Sequence, residues 1–128
     1  MHIRKVETPG VEIVPISTGG GWRITQGRLF DVDPENADKV EVKGAGFSVW
    51  DLCFTEDLLQ AVNRDEGLLL DVGWYPPADP SGEYRLVTVR VGGDPNGRPP
   101  YDWDNPVAEL RTRSLAELLR RIRWIVSH

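Results

Sequence analysis

The sequence has very little of the side-chain chemistry on which catalysis and metal binding most often rest. A single cysteine, Cys53, stands in 128 residues, which excludes an internal disulfide and a thiolate metal cluster. The only histidines, His2 and His128, lie at the two ends. No interior imidazole is therefore available for a catalytic triad, a proton shuttle or a histidine metal site. Long apolar runs are missing too. The purely apolar stretches are only a few residues, such as Leu68 to Leu70, far short of the ~20 that a membrane-spanning helix needs. Met1-His2-Ile3-Arg4-Lys5 leads into polar and turn residues instead of an apolar run, so no secretory signal is expected and the cytoplasm is the expected compartment.

What is present points to a folded protein. The chain is 40% hydrophobic and 27% charged, with five tryptophans, outside the composition of disordered segments. Its length suits one domain, residues 1–128, burying roughly two-thirds of the surface of the unfolded chain. The formal charge of −5 is unevenly spread. Residues 65–110 carry 9 acidic and 3 basic side chains, whereas residues 111–128 carry 5 basic and 1 acidic. An acidic middle disfavours a phosphate-binding surface and would speed encounter with a basic partner; it serves equally as a solvated surface.

Along the chain, Val11 to Pro15 is β-branched and bounded by prolines, the pattern of an edge strand or of an extended N-terminal arm over residues 1–18. Gly19-Gly20-Gly21 lacks the Lys-Ser/Thr of a phosphate loop and reads as a turn before a strand. Trp22 to Val32 has the content of one or two strands broken at Gly27. Asp33-Pro34-Glu35-Asn36 is a turn signal, and Lys39-Val40-Glu41-Val42-Lys43 alternates as a half-exposed strand. Gly44-Ala45-Gly46 leads into an expected strand, Phe47 to Phe54, in which Cys53 is a buried, inert thiol. Thr55 before Glu56 and Asp57, with Leu58, Leu59 and Val62 on one face, predicts a short helix ending between Asn63 and Gly67.

The second half is clearer. Leu68 to Tyr75 predicts a central strand, and Tyr84 to Val91 its returning partner across a proline-rich link. Gly92 to Pro106 is a long loop whose Tyr101 and Trp103 either cover the edge of the core or offer an amphipathic surface to a partner. Asp102, Asp104 and Asn105 lack the spacing of a calcium loop. After a short strand, Val107 to Thr112, Ser114 and Glu117 form a capping box. Leu115, Leu118, Leu119, Ile122, Ile125 and Val126 then share one helix face. Trp124 lies about 180° from Leu115, beside Arg120, Arg121 and Arg123, so a helix packed by its leucine stripe exposes it unless the N-terminal arm covers it. The expected fold is α+β: a mostly antiparallel sheet of about five to seven strands, a short central helix, and a C-terminal amphipathic helix on one face.

Phe47-Ser48-Val49-Trp50-Asp51-Leu52, the acidic-capped segment after it, Leu70-Asp71-Val72-Gly73-Trp74-Tyr75-Pro76 with Asp79-Pro80-Ser81-Gly82, and Asn105-Pro106 through Arg113 into Ser114-Leu115-Ala116-Glu117-Leu118-Leu119 give a pattern over residues 46–127. It resembles the small immunity proteins encoded beside bacterial polymorphic or contact-dependent toxins. The resemblance implies a cytoplasmic α+β inhibitor that binds its toxin domain without catalysis, using no cofactor, metal, nucleic acid or membrane. The residues themselves suggest the acidic aromatic stretch Tyr101, Asp102, Trp103 and Asp104, with Arg120 and Trp124, as the surface for a basic partner. Two other readings stay open. A structural or phage-assembly component would self-associate through an edge strand or Trp124, and an enzyme would require carboxylates such as Asp51, Asp71, Asp102 and Asp104 to converge.

Overall fold

The computed structural model describes residues 11–40, 48–91 and 101–127. Five strands, β1 (Trp22–Gly27), β2 (Leu59–Asn63), β3 (Leu68–Tyr75), β4 (Glu83–Arg90) and β5 (Ala108–Thr112), form one sheet in sequence order, every neighbour antiparallel. Two α-helices, α1 (Val49–Cys53) and α2 (Leu115–Val126), and a 3-10 helix (Pro34–Lys39) complete the described elements. The α+β architecture expected from the sequence, an antiparallel sheet with a C-terminal helix, is the one observed.

The β3–β4 pair anchors the sheet. Its register, Leu70 opposite Thr88, Val72 opposite Leu86 and Trp74 opposite Tyr84, puts alternate side chains of both strands on one face. That face is the core. Leu70, Val72, Trp74, Tyr84 and Leu86 are buried there with Leu115, Leu118, Ile122 and Val126 of α2. The helix starts where the sequence predicts, its Glu117 N–H donating to the Ser114 hydroxyl at 3.1 Å.

Aromatic rings fill one end of the space between helices and sheet. Trp50 packs tilted and Phe54 edge-on against Trp74, which meets Tyr84 edge-on at 5.0 Å between ring centroids. The Arg113 guanidinium lies over the Trp74 ring, 5.4 Å from its centroid, and donates to the Gly82 carbonyl. At the other end the same sheet face carries small side chains, Ala61, Thr88 and Ala108.

Two elements exchange identity relative to the sequence expectation. Val49–Cys53, expected as strand, is a helix because Ser48 caps it: its hydroxyl accepts from the Asp51 N–H at 3.1 Å and donates to the Asp51 carboxylate at 2.9 Å. Val49/Cys53 and Trp50/Phe54 then fall four residues apart, and all four are buried. Residues 55–63, expected as a helix, cross the sheet instead. The Thr55 carbonyl accepts from the Trp74 N–H at 2.9 Å, and Leu58 N–H donates to Val72 at 3.0 Å. β2 follows, burying Leu59, Ala61 and Asn63 in alternation. Leu58, Leu59 and Val62 fit either period, and pairing between β1 and β3 decides it.

Smaller differences follow the same logic. Residues 22–32 hold one strand with an irregularity between Ile24 and Gln26, after which Phe30 makes a single bridge to Ile13. The turn at Asp33 becomes the 3-10 helix, with the Asp33 carboxylate accepting from the Glu35 N–H at 2.9 Å. Lys39 closes that helix and only Val40 of the expected alternating strand is described as extended; residues 41–47 and 92–100 lie outside the described set. The N-terminal segment pairs with residues 29–31 and then reaches the end of α2, where Gly19 N–H donates to the Val126 carbonyl at 2.8 Å. One helix carbonyl that has no intrahelical donor is thereby satisfied.

Candidate binding surface and cavity

Tyr101 bridges Val91 beyond the end of β4, and the Asp102 N–H donates to the Arg90 carbonyl at 3.1 Å. This pins the start of the acidic aromatic stretch to the sheet. The chain then turns: Asn105 donates through its backbone to the Asp102 carbonyl (3.3 Å) and through its side chain to the Asp102 carboxylate (3.2 Å). Tyr101 and Trp103 keep 39% and 48% of their surface exposed, their rings 5.9 Å apart. Asp102 and Asp104 are exposed beside them. The aromatic pair therefore faces solvent with carboxylates at its flanks.

Trp124 is 65% exposed on the outer side of α2, as the leucine stripe requires, and Arg120 and Arg123 share a groove with it. The N-terminal segment reaches this end of the helix, where Arg123 donates to the Pro15 carbonyl at 3.4 Å, and leaves most of the Trp124 ring exposed. Of the six residues singled out from the sequence, Arg120 and Trp124 lie on α2 beside Arg123, and Tyr101 to Asp104 lie on the acidic turn beyond β4.

Trp124 also borders a feature the sequence did not advertise. Between the last turn of α2 and the small-residue end of the sheet lies a half-open cleft of about 350 Å³. Its aromatic and aliphatic walls are Trp124 and Ile125 of α2, Trp22 of β1 and Leu68 of β3. Val107 and Ala108 close the β5 side. Its polar lining is Thr88 from β4, with Asn63 and Glu66 from the turn between β2 and β3. Asn63 is buried and engaged, its amide donating to the Gly20 carbonyl at 2.9 Å and its oxygen accepting from the Glu66 N–H at 3.0 Å. That bridge sets the glycine turn: Gly21 has φ +89°, and a Cβ there would meet the Asp65 carboxylate at 2.9 Å. Thr88 is 3% exposed and its hydroxyl has no hydrogen-bond partner among the described residues. A polar residue at an inward position of a central strand is the sequence signal that marks it.

The opposite sheet face is charged along its β5 side. Glu109 accepts from Arg85 at 2.9 Å and from Arg111 at 3.4 Å, and the Arg85 bond lowers its carboxyl below the usual range. Asp71 on β3 is pushed upward chiefly by burial, against a hydrogen bond from Gln60. Tyr75 is raised by burial first, then by the charge of Asp71. Cys53 is buried in the core, which pushes its thiol to about 11. Among the described residues no three His, Cys, Asp or Glu side chains converge as a metal site would require, and no helix is long and apolar enough to cross a membrane. Comparison with known protein families, curated proteins and solved structures finds no match.

Proposed function

We propose that this protein is a non-catalytic binding protein which neutralises a basic partner domain, in the manner that the resemblance to small bacterial immunity proteins implies. The observation that carries the reading is the exposed pair Tyr101 and Trp103, held on a hydrogen-bonded turn between the carboxylates of Asp102 and Asp104. Rigid aromatic anchors ringed by charge are the side chains that dominate protein interfaces, and carboxylates beside them select a cationic surface. Trp124 with Arg120 offers a second, basic contact for an acidic rim of the same partner. Self-association through β5 is disfavoured, because Glu109 and Arg111 charge the outer strand of the described sheet.

The test uses the gene's own neighbourhood. The C-terminal domain of a large secreted protein encoded next to this chain would be co-expressed with it. A stable 1:1 complex and rescue of growth from the domain's toxicity are expected; no complex at micromolar concentration overturns the reading.

A further inference from the structure

We propose that the wedge between Tyr101 and Trp103 receives an arginine side chain of the partner, its guanidinium stacked on the Trp103 indole and facing the carboxylates of Asp102 and Asp104. This inference rests on the partner reading above and names the group that the partner must present. The wedge is built on the sheet. Tyr101 pairs directly with Val91, and directly paired residues place their side chains on the same face. Val87, Val89 and Val91 alternate with the inward-facing Leu86 and Thr88, so Tyr101 stands on the face opposite α2. On that face Val87 and Val89 are 4% and 0% exposed, and Leu69 lies opposite Val89. The ring therefore stands next to a packed floor.

Geometry and charge together select the occupant. The two ring planes are inclined at 55° with centroids 5.9 Å apart, so the rings are splayed instead of stacked, and both remain reachable from solvent. Aromatic faces are electronegative and attract a cation held within about 6 Å of the ring centroid. Farther along the same sheet face, Glu109 is already paired with Arg85 and Arg111. No ion pair among the described residues reaches Asp102 or Asp104, and the described cation–π contact, Arg113 over Trp74, lies elsewhere. The uncompensated negative charge thus sits at the rim of the wedge. A planar, weakly hydrated guanidinium can lie flat on the indole while its edge N–H groups point at a carboxylate. A lysine ammonium, compact and strongly hydrated, cannot stack in this way.

The experiment is an amide and indole NMR titration of the full chain, at constant ionic strength, with the peptide acetyl-Gly-Arg-Gly-Arg-Gly-amide and its lysine and citrulline counterparts, citrulline being the neutral isostere of arginine. Saturable shifts are expected at Tyr101 and at the Trp103 indole, with the arginine peptide binding about threefold to tenfold tighter than the lysine peptide and the citrulline peptide weakest. Trp103→Leu should make the arginine and lysine peptides bind alike, with the Trp22 and Trp74 indole signals unchanged to show that the fold is kept. Asp104→Asn should narrow the gap between arginine and citrulline. Because the titration needs no partner domain, it can fail while that domain still binds, and it can succeed while the domain does not. The proposal is overturned by the absence of saturable shifts at Tyr101 and Trp103, by the lysine peptide binding as tightly as the arginine peptide, or by Trp103→Leu preserving the preference for arginine. A Trp103 indole signal that moves on dilution of the chain alone would place a second copy in the wedge and overturn it as well.

Discussion

Gly73 is the position where one methyl group should do the most damage. It sits in the middle of β3, where the chain leaving α1 crosses directly above it. A Cβ at Gly73 would fall on the Glu56 carbonyl oxygen, with the carbonyl carbon at 2.8 Å and the Tyr75 ring at 2.9 Å. Ordinary carbon contacts lie at roughly 3.5–4.0 Å, so residues 55–58 must lift by about 1 Å. The two hydrogen bonds that hold that crossing, Trp74 to Thr55 and Leu58 to Val72, are then strained or lost at about 1 kcal/mol each. Overpacking adds about 1–3 kcal/mol, giving about 4 kcal/mol for Gly73→Ala. For a chain of 128 residues this lowers Tm by about 15 °C. Gly27→Ala is the control, because its Cβ would meet only the Ile24 methyl at 3.5 Å, and it should change stability by less than about 1 kcal/mol. Thermal and urea unfolding read both variants. A Gly73→Ala protein within 1 kcal/mol of wild type would refute the crossing of residues 55–58 over β3.

Three further outcomes follow from the core and the sheet. Leu118→Ala, at a fully buried position on α2, should cost about 2–5 kcal/mol in urea unfolding, with the low end signalling collapse of the helix onto the sheet. Asp71→Asn should raise Tm at pH 7 by a few degrees at most, since part of the group stays in solvent. The sign follows from its raised carboxyl: the native state holds the proton more tightly than the unfolded chain, so wild-type stability falls as pH rises above the ordinary aspartate range. The gap to Asp71→Asn should therefore close as pH is lowered through that range. Cys53, buried and with its thiol pushed to about 11, should resist iodoacetamide in the native state and react once urea unfolds the chain, and rapid native labelling would contradict its burial.

The elements legible in the sequence were those whose local signals and tertiary environment agree. Leu68 to Tyr75 and Tyr84 onward are rich in leucine and valine because they pair in the middle of the sheet and bury residues on both faces, and α2 carries both a capping box and a leucine stripe. The segment 47–63 misled because its local signals compete. Val49 and Trp50 favour strands, yet the Ser48 cap and the burial of Trp50 against Trp74 outweigh that preference. Thr55-Glu56-Asp57 looks like a helix start, yet the backbone at Thr55 and Leu58 is used by β3. The outward direction of Trp124 was readable from helical geometry, but its exposure was not, because it also depends on where the N-terminal segment runs. The cleft beside it was not, because it arises where β1, β3, β4, β5 and α2 meet.

The measurement closest to the central claim is calorimetric titration of the proposed basic partner domain with wild-type protein and with the Tyr101→Ala, Trp103→Ala, Asp104→Ala triple variant. These side chains are exposed and lie outside the core cluster, so the variant should keep the wild-type Tm within about 3 °C. Its affinity should fall by at least about 3 kcal/mol, more than a hundredfold, if two aromatic anchors and a carboxylate form the interface. An unchanged Kd with an unchanged Tm would contradict the account, and a collapsed Tm would place Tyr101 and Trp103 in the core instead of at the interface.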